Sequence, residues 1–189
     1  MNSTNKKIGF YRSRNVALPR RANSHDAGSD FFIPYFDPQF LVDLIKKNPN
    51  RRIKYRIDTD KDTNDTVLYM TVMPHERINI PSGIHVDIKD KNTFLQATDK
   101  SGICDGKTLR VTCNTVDADY RGEIHIGLEN YSDEPVTIWT GLKAVQFIHR
   151  HYIDTDWDEY NEYTWNKLEE EEPTDRGSGA FSSTGLSAK

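Results

Sequence analysis

Through the middle of the chain, apolar and polar residues alternate over short spans. Ile84, Val86 and Ile88 recur at every second position, as do Ile124, Ile126 and Leu128, and then Val136 and Ile138. That period turns one face of a strand to a core and the other to solvent. Val145-Gln146-Phe147 continues the pattern. Pro81-Ser82-Gly83, Asp117-Ala118-Asp119, Ser132-Asp133-Glu134-Pro135 and Thr140-Gly141 stand between the runs as turn signals. Many short strands broken by such turns predict an all-β sandwich or barrel. No repeat of solenoid period is present.

Two segments depart from this texture. In residues 37–73, Asp37-Pro38 has the form of an N-cap followed by proline at the first helical position. Phe40, Leu41, Leu44 and Ile45 then share one helical face, and Asn48-Pro49 closes the helix. Ile53, Tyr55 and Ile57 alternate after it, a polar loop runs from Asp58 to Asp65, and residues 67–72 are strand-like. A helix plus a β-hairpin, inserted between core strands, is predicted. In residues 154–172, Trp157, Tyr160, Tyr163 and Trp165 suggest an aromatic-faced helix running into the acidic stretch Glu169–Glu172. Residues 1–172 thus form the expected domain, with the insertion at about 37–73. Residues 173–189, rich in glycine and hydroxyl side chains, form a C-terminal arm with no core of its own.

Composition narrows the function. The 189 residues carry 25 Lys+Arg against 29 Asp+Glu, a formal net charge of −4, so bulk nucleic-acid binding is not expected. No apolar run approaches the roughly 20 residues of a membrane span, and the charged N-terminus is no signal peptide. Cys104 and Cys113 read as two reduced thiols, which suits a cytoplasmic location. A phosphate-rich ligand would therefore need positive charge gathered locally.

Five stretches could supply such chemistry. The arm holds Arg176, Gly177, Gly179, Phe181, Ser182, Ser183 and Thr184: glycines that admit phosphate oxygens, hydroxyl donors, a guanidinium fork and one ring for stacking. Its simplest reading alone is a loose Gly/Ser tail. Thr115-Val116-Asp117-Ala118-Asp119-Tyr120-Arg121-Gly122-Glu123 sets two carboxylates and a ring at a tight turn, suited to activating water or simply to turning a hairpin. Asp99-Lys100-Ser101-Gly102 suits a phosphate contact or an ordinary turn. Ala27-Gly28-Ser29-Asp30 leads an aspartate into a strand, and Gln146 interrupts an apolar strand after Gly141.

Taken in order, AGxD, KSG, a VDADYRGE hairpin, GxxxxQ and RGxGxFxSTG resemble the five motifs of the trimeric dUTPases over nearly the whole chain. The third and fifth motifs are the specific ones. The resemblance implies a jelly-roll-like β-barrel, a homotrimer with sites shared between subunits, and Mg²⁺-dependent hydrolysis of dUTP to dUMP and pyrophosphate. It assigns Asp117 to activation of the attacking water and Tyr120 to packing under the deoxyribose. Asp30 would meet the Mg²⁺ ion through water. Lys100, Ser101, Gly102 and Gln146 would hold phosphates, and Asn114, Thr115 and Val116 would line the substrate. Arg176 would grip the terminal phosphate, Phe181 would stack on uracil, and Ser182, Ser183 and Thr184 would cap the phosphate chain. Lys143 and Arg121 would add to the positive field.

The sequence departs from the family at several points. Lys100 stands where arginine is usual, Asn114 where the hairpin usually has glycine, and Ala180 and Ser182 replace tail glycines. Val111 occupies the position of the family asparagine that reads uracil, which opens the base preference to cytosine or a modified uracil. Two other functions stay open: a dCTP deaminase on the same fold, with Glu123 or Glu129 as candidate catalytic acids, or a regulatory binding protein using the 37–73 insertion. The basic run Arg51–Arg56 in that insertion is a candidate partner surface, or else an outward basic hairpin face. Extra segments of this kind occur in some phage-encoded members. His149 and His151 read as surface histidines.

Overall fold

A computed structural model describes residues 7–174, the side chain of Glu169 excepted. The chain divides into two units, one ending at Ile153 and one beginning at Asp154. Among the described residues the first holds all the strands, in four antiparallel sheets around one apolar interior. This is a jelly-roll-like arrangement and not one continuous closed ladder.

The sheet that positions most of the chemistry has the order β2 (Gly28–Phe32), β12 (Lys143–His151), β7 (Thr93–Thr98), β9 (Thr115–Asp117). A second runs β5 (Arg77–Pro81), β10 (His125–Asn130), β8 (Leu109–Val111). A third runs β11 (Val136–Trp139), β4 (Thr66–Val72), β3 (Lys54–Thr59), and β1 (Ile8–Arg12) pairs with β6 (Ile84–Ile88). The predicted alternation is realised. Ile84, Val86 and Ile88 are buried, as are Leu68, Met70 and Val72, and Phe31 meets Phe147 at 4.5 Å between ring centroids.

Helix α1 (Pro38–Lys46) forms where the sequence places it. Asp37 is extended, its carboxylate accepts the Phe40 N–H at 2.8 Å, and Pro38 opens the helix. Phe40 and Leu44, one turn apart, are fully buried. Each contributes about 1.5–3 kcal/mol by leaving water. Past the helix, the buried Asn48 amide donates to Leu44 O and Asn79 O and accepts the Asn79 N–H, which ties α1 to β5. The hairpin β3–β4 is also present, but its strands differ in kind. β4 is buried on alternate residues and bonded to β11 on its far side, while every residue of β3 is exposed.

Two elements differ from expectation. Residues 99–102, which suited a phosphate contact or an ordinary turn, lead into the short helix α2 (Ser101–Lys107), although Gly102 and Gly106 lie within it. In the second unit the helix is confined to α3 (Glu162–Glu171), capped by Asn161, so Trp157 and Tyr160 precede it. Its acidic end holds one i,i+4 ion pair, Lys167–Glu171. No helix among the described residues is long and apolar enough to cross a membrane.

Candidate active site

Strands β8 and β10 begin as partners and then part. Leu128 pairs with Val111, the Thr112 N–H still reaches Gly127 O at 3.0 Å, and beyond that point the chains diverge. Residues 115–117 turn away to pair with β7, whereas β10 stays on β5. Divergence opens a slot of about 200 Å³ lined by Cys113, Thr115, Val116, Asp117, Tyr120, Ile124 and His125. Glycine is required at two places around it. A Cβ on Gly127 would stand 2.7 Å from Cys113 Sγ, and one on Gly122 would stand 2.4 Å from the Tyr120 hydroxyl. With Gly122 the Tyr120 ring folds back and its hydroxyl donates to Glu123 O at 2.8 Å.

The turn that carries Asp117 and Tyr120 is braced from several sides. Arg121 donates to Ala118 O at 2.7 Å and pairs with Asp87. It is therefore engaged by the turn. Lys91 pairs with Asp119 and holds its carboxyl below the usual range. Burial pushes the Glu123 carboxyl up, but Arg14 and the Gly83 N–H, 2.7 Å away, more than offset it, so the net direction is down. Arg14 also bonds Asp43 on α1 at 2.8 Å and lowers that carboxyl. Glu123, Arg14 and Asp43 thus link the hairpin to the helix. Burial, with the charge of Lys47 adding to it, depresses the imidazole of His125 against the pull of Glu123.

A second cluster gathers on the other edge of the same sheet. Asp30, Gln146 and Thr98 are in register on β2, β12 and β7. Asp30 is buried; Lys100 Nζ lies 2.5 Å from its Oδ1 and Lys143 Nζ 3.4 Å from its Oδ2. The latter is an ion pair without an aligned hydrogen bond, since Oδ2 makes none. A bulge in β12 between Lys143 and Val145 breaks the register there, and such a bulge re-aims a side chain. Gln146 donates to Asp99 O at 3.3 Å, at the start of α2. Lys100 makes no side-chain cap, and Ser101 and Gly102 are exposed on the first turn, where helical N–H groups lack internal partners.

The predicted residues therefore fall into two groups. Thr115, Asp117 and Tyr120 line the slot; Asp30, Lys100, Ser101, Gly102 and Gln146 gather at the other edge. Three strand spacings and four residues separate Asp30 from Asp117, about 20 Å along the sheet diagonal. Val116 is largely a core residue, so contact from it would come chiefly from its backbone. Asn114 is not part of the slot lining, and its carbonyl accepts the Ala97 N–H. Arg176, Phe181, Ser182, Ser183 and Thr184 lie outside the described residues. Sequence reasoning missed His125 and Cys113. His125 looked like the outward residue of an alternating strand, and its burial comes from elements far away in sequence. Glu123 and Glu129, the candidate acids of a deaminase, are ion-paired with Arg14 and Arg110. His149 bonds Thr93 at 2.7 Å. Among the described residues no group of three or more His, Cys, Asp or Glu could hold a metal.

Comparison with known proteins identifies the family. The dUTPase family model matches residues 66–185. The deoxyuridine 5'-triphosphate nucleotidohydrolase of Finegoldia magna is 36% identical over 152 residues, covering 76% of this chain and 98% of the relative. That of Rickettsia felis is 34% identical over 188 residues, covering 98% and 100%. The dUTPase of Staphylococcus bacteriophage 80alpha, solved with dUpNHpp, superposes with a TM-score of 0.65. It covers 95% of this chain and 99% of that one at 16% identity, a likeness of fold. The family match begins inside the β3–β4 hairpin, at the first residue of β4, so α1 and β3 lie outside it. By its matched length and by these relatives, the chain belongs to the dUTPase family.

Proposed function

We propose that the chain hydrolyses dUTP to dUMP and pyrophosphate, as a dUTP diphosphatase. The observation that carries this reading is the parted hairpin, a slot of nucleoside size with Asp117 and Tyr120 lining it, inside the matched family segment. Asp117 is exposed and can take a proton from a water aimed at the α-phosphorus. Tyr120, held against Gly122, offers its ring to the sugar and leaves no room for a 2′-hydroxyl. Lys100 and Lys143, with the free N–H groups of Ser101 and Gly102, would hold phosphate oxygens, and Gln146 would lie beside them.

No nucleotide spans the roughly 20 Å between Asp30 and Asp117 while presenting its α-phosphate to both. The slot of one protomer and the lysine cluster of another must then meet, so we infer a homotrimer with shared sites. Residues 173–189 would close over them, bringing Arg176 to the terminal phosphate and Phe181 to the base. Ser182, Ser183 and Thr184 would cap the phosphates.

Magnesium fits this arrangement. It binds a triphosphate chiefly through the phosphates and keeps several waters, so one nearby carboxylate is enough and no protein cage is needed. Asp30, with Oδ2 unbonded, would meet those waters. When bound, the ion supplies neutralisation of the phosphate charge. Lys100 would offer a phosphate oxygen another of its three N–H donors while keeping its bond to Asp30, so the buried carboxylate stays compensated. Pyrophosphate release measured across dUTP, dCTP, dTTP and UTP tests the reading. It expects dUTP to be turned over fastest and UTP to be rejected; ammonia release from dCTP without pyrophosphate would overturn it.

A further inference from the structure

We propose that His125 reads the pyrimidine edge in the slot, its Nε2 accepting the N3–H of uracil. The proposal rests on the slot being the nucleoside site. Nε2 of His125 is buried, has no hydrogen-bond partner, and belongs to a residue lining the same cleft as Asp117 and Tyr120. A buried polar atom without a partner is rare enough in folded proteins to call for an explanation, and a ligand is one. Two other polar groups of the slot have tasks. The Tyr120 hydroxyl is given to Glu123 O, and Asp117 is needed for the water.

Val111 cannot serve as the base reader. It has no polar side-chain atom, it pairs with Leu128 in β8–β10, and its N–H is given to the Asp99 carboxylate at 2.7 Å. It does not line the slot. His125 stands on the facing strand, where the parted chains leave room for a ring.

The protonation state agrees with the task. Burial depresses the imidazole and so favours its neutral form, and accepting N3–H takes the tautomer whose proton sits on the other ring nitrogen. Nε2 is then a lone-pair acceptor. Uracil presents N3–H to it, whereas cytosine presents a second lone pair at N3. One nitrogen thus attracts one base and repels the other.

Steady-state kinetics of the full chain with dUTP and dCTP, for wild type, His125→Leu and His125→Gln, test this. His125→Leu is expected to raise KM for dUTP about 10- to 100-fold with kcat within about threefold, and to shrink the preference for dUTP over dCTP. His125→Gln, whose amide oxygen can accept N3–H, keeps KM within about fivefold, and Val111→Ala changes neither constant. The ¹⁵N resonance of His125 Nε2 should also move when dUMP is added to wild-type protein. A folded Leu variant with unchanged KM and selectivity overturns the proposal. If that variant does not fold, an Nε2 resonance unmoved by dUMP does the same. Wild-type protein that releases no pyrophosphate from dUTP removes the substrate reading first, and this proposal with it.

Discussion

Lys100–Asp30 and Lys91–Asp119 are the same ion pair chemically, one beside each half of the site. In the first, the side chains are 24% and 5% exposed; in the second, 55% and 87%. Asp30 is buried on the edge strand of a four-stranded sheet, with a second lysine, Lys143, close by. Asp119 sits on the turn that presents Tyr120, and its lysine also reaches Ala118 O at 3.2 Å. Buried charge is costly unless compensated, so the first pair fixes its partners in place and is hardly screened by salt. The exposed pair trades with water at little cost and only biases a turn. The half proposed to hold the phosphates is thus a rigid, charge-balanced cluster. The half proposed to hold the base is an opened hairpin whose shape rests on glycines and backbone bonds. Rigidity suits the part that must neutralise a triphosphate; an adjustable turn suits the part that must admit a base.

The largest effect lies where the two halves meet the chemistry. Asp117→Asn keeps the size of the side chain and removes the base, so kcat should fall about 10²- to 10⁴-fold. Binding of a non-hydrolysable dUTP analogue, followed by calorimetry, should stay within a few-fold. Unchanged turnover would take Asp117 out of its role.

Next comes the buried pair itself. Lys100→Met leaves Asp30 with only the more distant Lys143, and breaking a buried pair costs about 3–5 kcal/mol. With Lys100 a quarter exposed, a loss nearer about 2–3 kcal/mol is expected in urea unfolding. The double variant Lys100→Met/Asp30→Asn should recover much of it, because no buried charge is left over. A double variant as unstable as the single one would mean that packing, not charge, holds this edge.

The two halves were also unequally legible in the sequence. Strands such as β4 and β6 announce themselves because one face is buried and the other is not, and α1 does so through Asp37, Pro38 and its apolar stripe. β1 and α2 carry no such pattern. β1 is mostly exposed, and α2 has two glycines among seven residues, so its helix is set by context. The site motifs were visible as residue types, yet their separation into two groups follows from strand order, which no local pattern encodes. His125 was hidden for a related reason. In Ile124-His125-Ile126 it has the outward phase, and its imidazole is buried only once distant parts of the chain pack.

Acid should separate the network around the hairpin from its surroundings. His125 has a depressed value in the folded chain, so the unfolded chain takes up its proton first. Its contribution is complete above the ordinary value of 6.5 and declines as pH falls below it. Glu123 and Asp43 are held below their ordinary values of 4.5 and 3.8. Their contribution is complete above those values and is lost as pH falls through the lower folded ones. Urea midpoints should therefore decline gently from about pH 6.5 and steeply below about pH 4.5. In His125→Gln the gentle step should disappear and the steep one remain; a gentle step that survives would assign it to another group.

The smallest effect is expected at the exposed pair, and its smallness is what the comparison requires. Lys91→Ala removes the partner of Asp119 and one bond to Ala118 O, both at the surface. Thermal melting should shift by no more than about 1–2 °C, with no further loss between low and high salt. Tyr120 keeps its own anchor through Gly122 and Glu123 O, so KM for dUTP should change by less than about threefold. A Lys91 variant as damaged as the Lys100 one would show that the turn depends on its surface charge. The contrast between a fixed phosphate cluster and an adjustable base slot would then fail.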